Sequence, residues 1–152
     1  MGNWDAGKER LVGLTDSVWA PVVLAATAYC FLALLGVVFG VALPGVHDEF
    51  AYILQADLFR QGQWVGASPE FPGLYDSFHI FTQPVYASKY PPGQSLFLAV
   101  GWMVGGHPIV GVWLSYGLMV GAVAWALRPL TGVPWAACAA VLLILHGPLL
   151  LW

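Results

Sequence analysis

The sequence predicts an all-α membrane protein with about four transmembrane helices and a first extracytoplasmic loop that contains an amphipathic interfacial helix. Of the 152 residues, 59% are hydrophobic and only 9% are charged, whereas soluble domains carry roughly 25% charged residues. The charges are also clustered, because five lie in residues 1–17, seven lie in residues 44–93, and the one remaining charge is Arg128. This pattern excludes a soluble enzyme, a disordered chain and a nucleic-acid-binding protein, which would need a basic patch.

Residues 18–43 form the first predicted transmembrane helix, since all 26 are uncharged. At about 1.5 Å per residue this stretch exceeds the hydrocarbon core of about 30 Å. A cleaved signal peptide is the alternative, but its apolar region would span only about 7–15 residues, so an uncleaved signal anchor is favoured. Lys8 and Arg10 precede the helix, and the positive-inside rule therefore places residues 1–17 in the cytoplasm.

Residues 44–93 then form an extracytoplasmic loop. Near its start, four apolar residues recur on one face of a helix, and a glycine follows at Gly62. These apolar residues are Phe50, Ile53, Leu54 and Leu58. The pattern predicts an amphipathic helix that lies along the membrane surface.

Residues 94–152 are predicted to hold two to three further transmembrane helices. The first, 94–106, is short, and it can span only if its helix begins at Pro91 or Pro92 and is buried by its neighbours, whereas 109–127 has the length of a full span. A turn is predicted at 128–134, before the last apolar run, 135–152.

With four spans, the chain is predicted to be a multi-pass protein of the inner (plasma) membrane. Arg128 would then lie on the extracytoplasmic side. Gly36 and Gly40 in the first span, and Gly117 and Gly121 in the third, are four residues apart. This spacing predicts close packing against another helix, because small side chains let two backbones approach in a membrane.

Asp48 and Glu49 follow the first span directly, at the height of the lipid headgroups. A carboxylate within reach of a hydroxyl can act as a general base, although Asp48 could also serve only as a helix N-cap. The His47-Asp48-Glu49 run leaves a divalent cation open as an alternative. Three consecutive residues do not converge easily on one ion, so no metal or other cofactor is predicted.

Lys89 stands directly before a helix that begins with proline. An ammonium group beside the free amides of a helix N-terminus attracts phosphate. The alternative is that this lysine only extends its charge from the interface into water.

These motifs together resemble the GT-C membrane glycosyltransferases. The resemblance rests on Asp48-Glu49 after the first span, on the helix that ends in a glycine, and on Lys-Tyr-Pro-Pro-Gly at the start of the second span, and it covers about residues 15–135. Within this superfamily the motifs resemble those of the dolichyl-phosphate-mannose and protein O-mannosyl transferases and of the bacterial aminoarabinose lipid A transferase. Some bacterial members carry a similar loop, Asp-Glu-Phe-Ala-Tyr…Gln-Pro…Ser-Lys-Tyr-Pro-Pro-Gly-Gln. In the aminoarabinose relatives the lysine directly precedes proline, whereas Tyr90 intervenes here.

The resemblance implies inverting transfer of a hexosyl or pentosyl group from a polyprenyl-phosphate-linked sugar to a lipid, glycan or protein acceptor, with no role for nucleic acid. Asp48 matches the aspartate that activates the acceptor, and Glu49 would orient the acceptor or Asp48. Lys89 matches the lysine that meets the donor phosphate. By the same resemblance, Arg60 and Tyr90 are assigned to the donor phosphate, and Tyr52 and His47 to substrate binding.

Members of this family are several times longer than 152 residues, and this sequence ends inside an apolar run. We therefore expect an N-terminal piece of a longer enzyme that is inactive alone. The alternative is a small non-enzymatic membrane module for assembly or lipid binding. A transporter or channel would more often place charges within its spans, where this sequence has none.

Overall fold

The computed structural model describes residues 17–41 and 43–146. Residues Lys8 and Arg10, which determine the predicted orientation, and residues 147–152 of the last apolar run lie outside this part of the chain. The described residues are mostly helical. Their elements are α1 (Ala20–Phe39), α2 (His47–Arg60), β1 (Gly66–Ala67), a 3₁₀ turn (Pro72–Leu74), β2 (Ile80–Phe81), β3 (Val85–Ser88), α3 (Pro92–Gly105), α4 (Ile109–Thr131) and α5 (Val133–Ile144).

The chain divides into two compact units. The first unit holds the residues up to Gly40 and those from Tyr116 onwards, and the second holds Val41–Ser115. Helix α4 therefore has its first seven residues in the second unit and the remainder in the first.

In the first unit, α1 and α4 pack closely and run antiparallel. A Cβ atom at Gly117 would lie 2.7 Å from the Ala25 carbonyl oxygen, and one at Gly121 would lie 2.8 Å from the Pro21 carbonyl oxygen. Any larger side chain at either glycine would force the two backbones apart. The predicted packing role of Gly117 and Gly121 is thus confirmed, whereas a Cβ atom at Gly40 would have nothing within 4 Å, so no close packing occurs there.

At the end of this helix pair, the Arg128 guanidinium donates a hydrogen bond to the Ser17 carbonyl oxygen, with Nη2 and O 2.7 Å apart. Arg128 and Ser17 therefore lie at the same end of the unit. If α1 and α4 both cross a membrane, Arg128 therefore lies on the same side as Ser17, which differs from the predicted placement of Arg128 on the extracytoplasmic side. That prediction counted the segment at 94–106 as a full span, which would reverse the direction of every later helix.

Within the described residues, two helices are long and apolar enough to cross a membrane, by length and composition: α1 with 20 residues and α4 with 23. Helix α3 has 14 residues and α5 has 12, fewer than the approximately 20 that a span needs. The expectation of four spans is therefore not met in this part of the chain, which has two candidate spans.

Helices α1 and α2 end close to glycines, and the end of α1 differs from the predicted bound. Helix α1 ends at Phe39 rather than at residue 43, because Gly40 adopts a φ of +87°, a conformation that favours glycine. Helix α2 ends before Gly62, at φ +75°, and α3 begins at Pro92, both as predicted.

The turn predicted at 128–134 is shorter than expected. Helix α4 continues through Pro129 to Thr131 and ends at Gly132, with φ +79°. The Thr131 hydroxyl donates to the Leu127 carbonyl oxygen at 3.1 Å. Pro129 has no amide to donate to the Trp125 carbonyl oxygen four residues earlier, so this hydroxyl bond lies in the same turn but does not replace the missing one.

The second unit contains a small sheet that the all-α prediction missed. Its strand order is β1-β3-β2 and both pairings are antiparallel, with Gly66 opposite Tyr86 and Ile80 opposite Ser88. The strands have two to four residues, which is too short for the alternating pattern that identifies a strand in a sequence.

Helices α2 and α3 form the core of the second unit. Ala56, Leu98 and Ala99 are fully or almost fully buried between them. A Cβ atom on Gly101 would lie 2.0 Å from the Gly111 nitrogen, so α3 crosses the start of α4 at backbone contact distance. This packing fixes the two ends of the loop that carries Asp48 and Lys89.

Candidate functional site

The candidate site begins at the first turn of α2, where Asp48 and Glu49 have different roles. Helix α2 starts at His47 with Val46 as its N-cap. The Glu49 carboxylate turns back and accepts hydrogen bonds from the amides of Gly45 (2.6 Å) and Val46 (3.1 Å). Glu49 is therefore the capping residue, as acids often are at this position. The alternative interpretation of Asp48 as the N-cap is wrong.

Asp48 is the second residue of the helix and is half-buried. One of its carboxylate oxygens accepts a hydrogen bond from the Glu49 amide at 3.1 Å. The charge of Asp48 acts on the phenol of Tyr90, which belongs to the segment that leads into α3. Burial first, then the charge of Asp48 and then Tyr52, raise the pKa of the Tyr90 phenol above its ordinary value of 10.0.

The fold thus brings Asp48 and the Lys-Tyr-Pro-Pro-Gly motif together, although they lie at opposite ends of the loop. The helix and the motif touch through two aromatic rings. Tyr52 of α2 stacks on Tyr90 of the motif, with ring centroids 4.9 Å apart and ring planes at 22° to each other. Aromatic pairs prefer centroid separations of about 4.5–7 Å.

The Tyr52–Tyr90 stack continues through two imidazoles. Tyr90 stacks on His79 at 5.6 Å, and His79 stacks on His47 at 6.3 Å, with interplanar angles of 21° and 11°. We call the four rings of His47, His79, Tyr90 and Tyr52 the ring column. It joins the first two turns of α2, the residue before β2 and Tyr90, which lies two residues before α3, in one local structure.

Lys89 is exposed and lies next to Tyr90. Its ammonium nitrogen is 5.3 Å from the Phe81 ring centroid and 5.7 Å from that of Phe78, within the range of a cation–π contact. In the described part of the chain, the one ion pair joins Arg60 and Asp57, so no described carboxylate is paired with Lys89.

Gln55 fixes the segment before Lys89 to α2. This residue is 5% exposed. Its side-chain amide donates to the Trp64 carbonyl oxygen (2.8 Å) and accepts from the Ser88 amide (3.0 Å). Because both ends of the amide are used, Gln55 sets the position of β3 relative to the helix.

Arg60 does not join the other predicted site residues. It lies in the last turn of α2, about 18 Å along the axis from Asp48. Its guanidinium bonds the Asp57 carboxylate and stands 4.7 Å from the Trp102 ring centroid. Arg60 therefore contacts Asp57 and Trp102, and not the residues around Tyr90.

The structure brings together Asp48, Tyr52, Tyr90 and His47 of the predicted residues, with Lys89 adjoining Tyr90 and Glu49 beside Asp48 as a cap. Sequence reasoning missed His79 and Gln55. His79 stands in an irregular, aromatic-rich stretch with no periodic pattern, and Gln55 was taken only as a polar position of an amphipathic helix. Among residues 17–41 and 43–146, no group of three histidine, cysteine or acidic side chains is arranged to hold a metal ion.

Comparison with protein-family models, with curated proteins and with solved structures gave no match for this chain. The resemblance to the GT-C glycosyltransferases therefore rests on the motifs in the loop.

Proposed function

We propose that this chain forms the donor- and acceptor-binding front part of an integral membrane glycosyltransferase that uses a polyprenyl-phosphate-linked sugar. One observation carries the proposal. The acidic first turn of α2 and the Lys89-Tyr90 pair, which lie at opposite ends of the loop, meet through the stack of Tyr52 on Tyr90 at 4.9 Å. The reaction requires a carboxylate and a cation close to the reacting groups, and this stack links the segments that carry Asp48 and Lys89.

In the proposed reaction, an acceptor hydroxyl attacks the anomeric carbon of the sugar while the bond from that carbon to the phosphate oxygen breaks. Asp48 takes the hydroxyl proton. The phosphate leaves with the bonding electron pair, and Lys89 stabilises its charge. Attack opposite the leaving group inverts the configuration at the anomeric carbon. Tyr52 stacks on Tyr90 and His47 stacks on His79, so both rings adjoin the proposed site through the ring column.

Two features support a membrane location for this chemistry. Helices α1 and α4 are long and apolar enough to cross a bilayer, and the exposed aromatic side chains of the loop suit the interface. These include Trp64, Phe71, Tyr75 and Phe78. If both helices cross, Ser17 and Arg128 face one side and the loop faces the other. The positive-inside rule then places the loop outside the cytoplasm, at the plasma membrane.

The test is binding of an isoprenyl phosphate to the chain in lipid nanodiscs. Farnesyl phosphate serves as the probe, and farnesol, which lacks the phosphate, serves as the ligand control. We expect Lys89→Ala to weaken farnesyl phosphate binding by about tenfold or more, since a hydrogen bond to a charged group contributes about 1.5–3 kcal/mol.

Arg60→Ala is the matched control variant. It also removes one positive charge from the loop, but the Arg60 guanidinium is paired with Asp57 at the far end of α2, so its affinity should match that of the wild type. Equal affinities in the wild type and in Lys89→Ala, or equal binding of farnesol, would rule out a phosphate site at Lys89.

A further inference from the structure

His79 contacts both residues of the motif that faces Asp48. Its carbonyl oxygen accepts a hydrogen bond from the Lys89 amide at 3.0 Å, and its Nδ1 lies 2.5 Å from the Tyr90 hydroxyl oxygen. Its own amide contacts the Ser77 hydroxyl oxygen at 3.4 Å. His79 is therefore fixed at both its backbone and its side chain.

The ring column restricts the imidazole further. The His79 ring is stacked between His47 and Tyr90, and Phe78 contacts it edge-on with centroids 5.4 Å apart. These contacts on several sides restrict rotation of the ring, whose Nδ1 is directed at the Tyr90 hydroxyl in the structure.

The Tyr90 hydroxyl carries one hydrogen, and its direction depends on His79. When Nδ1 is unprotonated, it accepts this hydrogen. When Nδ1 carries a proton, the imidazole donates to the phenol oxygen, and the Tyr90 hydrogen is then available to another acceptor. Asp48 is the charged group that, after burial, raises the pKa of the Tyr90 phenol.

We propose that His79 is a positioning residue of this site, which sets the direction of the Tyr90 hydroxyl beside Asp48. The use of this arrangement in sugar transfer rests on the proposed function, whereas the arrangement itself is a property of the ligand-free protein. With Nδ1 unprotonated, Tyr90 leaves the Asp48 carboxylate free to accept a proton. With Nδ1 protonated, the Tyr90 hydrogen competes for that carboxylate.

The test follows the titration of Tyr90 in the ligand-free chain in detergent micelles, by NMR of ¹³Cζ-labelled tyrosine. The titratable groups that face Tyr90 are Asp48 and Tyr52 from α2 and His79 from the loop, with Lys89 adjacent in sequence. His79→Phe keeps a ring in the column but removes Nδ1. We expect it to lower the pKa of Tyr90 by about half a unit or more, because the bond to Nδ1 stabilises the neutral phenol.

His79→Asn provides the rescue, since its side-chain amide can reach the place of Nδ1 and should restore most of the wild-type titration. Asp48→Asn should lower the pKa of Tyr90, whereas Glu49→Gln, which removes a charge that faces the backbone amides, should leave it nearly unchanged. An unchanged titration in His79→Phe, or a titration in His79→Asn that matches His79→Phe, would overturn the proposal.

A second measurement does not require a variant at His79 to fold. In ¹⁵N-histidine spectra, the Nδ1 resonance of His79 should move between the wild type and Tyr90→Phe, which keeps the stacked ring but lacks the hydroxyl. An identical resonance in both proteins would also overturn the proposal. Both measurements are made without ligand, so a failure of farnesyl phosphate to bind would refute the proposed function and leave this result standing.

Discussion

Asp48 and Glu49 are adjacent acids with separate duties. The Glu49 carboxylate satisfies the amides of Gly45 and Val46, and this leaves Asp48 as the acid whose charge reaches Tyr90. The sequence alone identified the two acids but could not show which of them caps the helix and which acts on Tyr90. A shift of one or two residues in the start of the helix decides which side chain becomes the cap.

This division predicts different effects on the local stability of α2. Glu49→Ala should lower the free energy that protects the Gly45 and Val46 amides by about 1 kcal/mol, and should therefore speed their hydrogen exchange about fivefold. Asp48→Asn keeps an oxygen that accepts from the Glu49 amide and should leave the exchange of these amides unchanged. Faster exchange in Asp48→Asn than in Glu49→Ala would contradict the assignment.

His79 and Gln55 mark the limit of residue-level prediction. Their importance comes from partners far away in the sequence, namely Tyr90 for His79 and Ser88 for Gln55. A histidine in an irregular stretch and a glutamine on an amphipathic helix give no pattern from which such partners can be inferred. These contacts depend on how the loop folds back on α2, which periodicity does not describe.

At the scale of elements, the glycines mark where helices end and where they touch. Gly62 ends α2, and Gly117 and Gly121 allow α4 to approach α1; all three were identified from the sequence. The close approach of Gly101 to Gly111 was not identified. That contact depends on the crossing of α3 with the start of α4 rather than on a repeated spacing within one helix.

The close crossing predicts a sharp difference between two glycines of α3. A Cβ atom at Gly101 would lie 2.0 Å from the Gly111 nitrogen, whereas one at Gly93 would have nothing within 4 Å. Gly101→Ala should therefore lower the free energy of unfolding of the protein in detergent by about 2 kcal/mol through overpacking. Gly93→Ala should leave it unchanged or raise it by about 0.5–1 kcal/mol, because alanine favours the helix. Equal unfolding curves for the two variants would refute the crossing.

The small sheet could not be predicted for a similar reason. Val85–Ser88 pairs with two strands of two residues each, and no single stretch of this loop is long enough to show a strand pattern. The pairing matters for the site, because Lys89 and Tyr90 follow β3 directly.

At the scale of the whole molecule, the number of spans decides the side on which each segment lies. Composition and charge clustering predicted the helical character and two helices long enough to span, α1 and α4. The further spans were predicted from apolar runs. A run of apolar residues does not show how many of its residues form one continuous helix, and therefore whether that helix is long enough to cross a membrane. With α3 at 14 residues, Arg128 lies at the Ser17 end of the first unit.

This topology predicts where thiol reagents can reach. In a background with Cys30→Ala and Cys138→Ala, a membrane-impermeant maleimide should label Gln63→Cys in intact cells. Thr131→Cys, near Arg128, should be labelled only after the membrane is permeabilised. Labelling of both positions in intact cells would restore the four-span arrangement and would contradict the two-span one.

We propose above all that Asp48 is the base of a sugar transfer from a polyprenyl-phosphate donor. The most direct measurement is mass spectrometry of lipid-linked sugars and glycoconjugates in a strain that lacks the protein and receives the full-length wild type, Asp48→Asn or Asp57→Asn. Asp57 is an acid of the same helix that pairs with Arg60, and its variant controls for the loss of one charge.

Removal of a general base slows a reaction about 10²–10⁴-fold. We therefore expect Asp48→Asn to accumulate the lipid-linked sugar and lack the glycoconjugate, as the deletion strain does, while Asp57→Asn restores both. Restoration of the wild-type glycoconjugate by Asp48→Asn would contradict the claim.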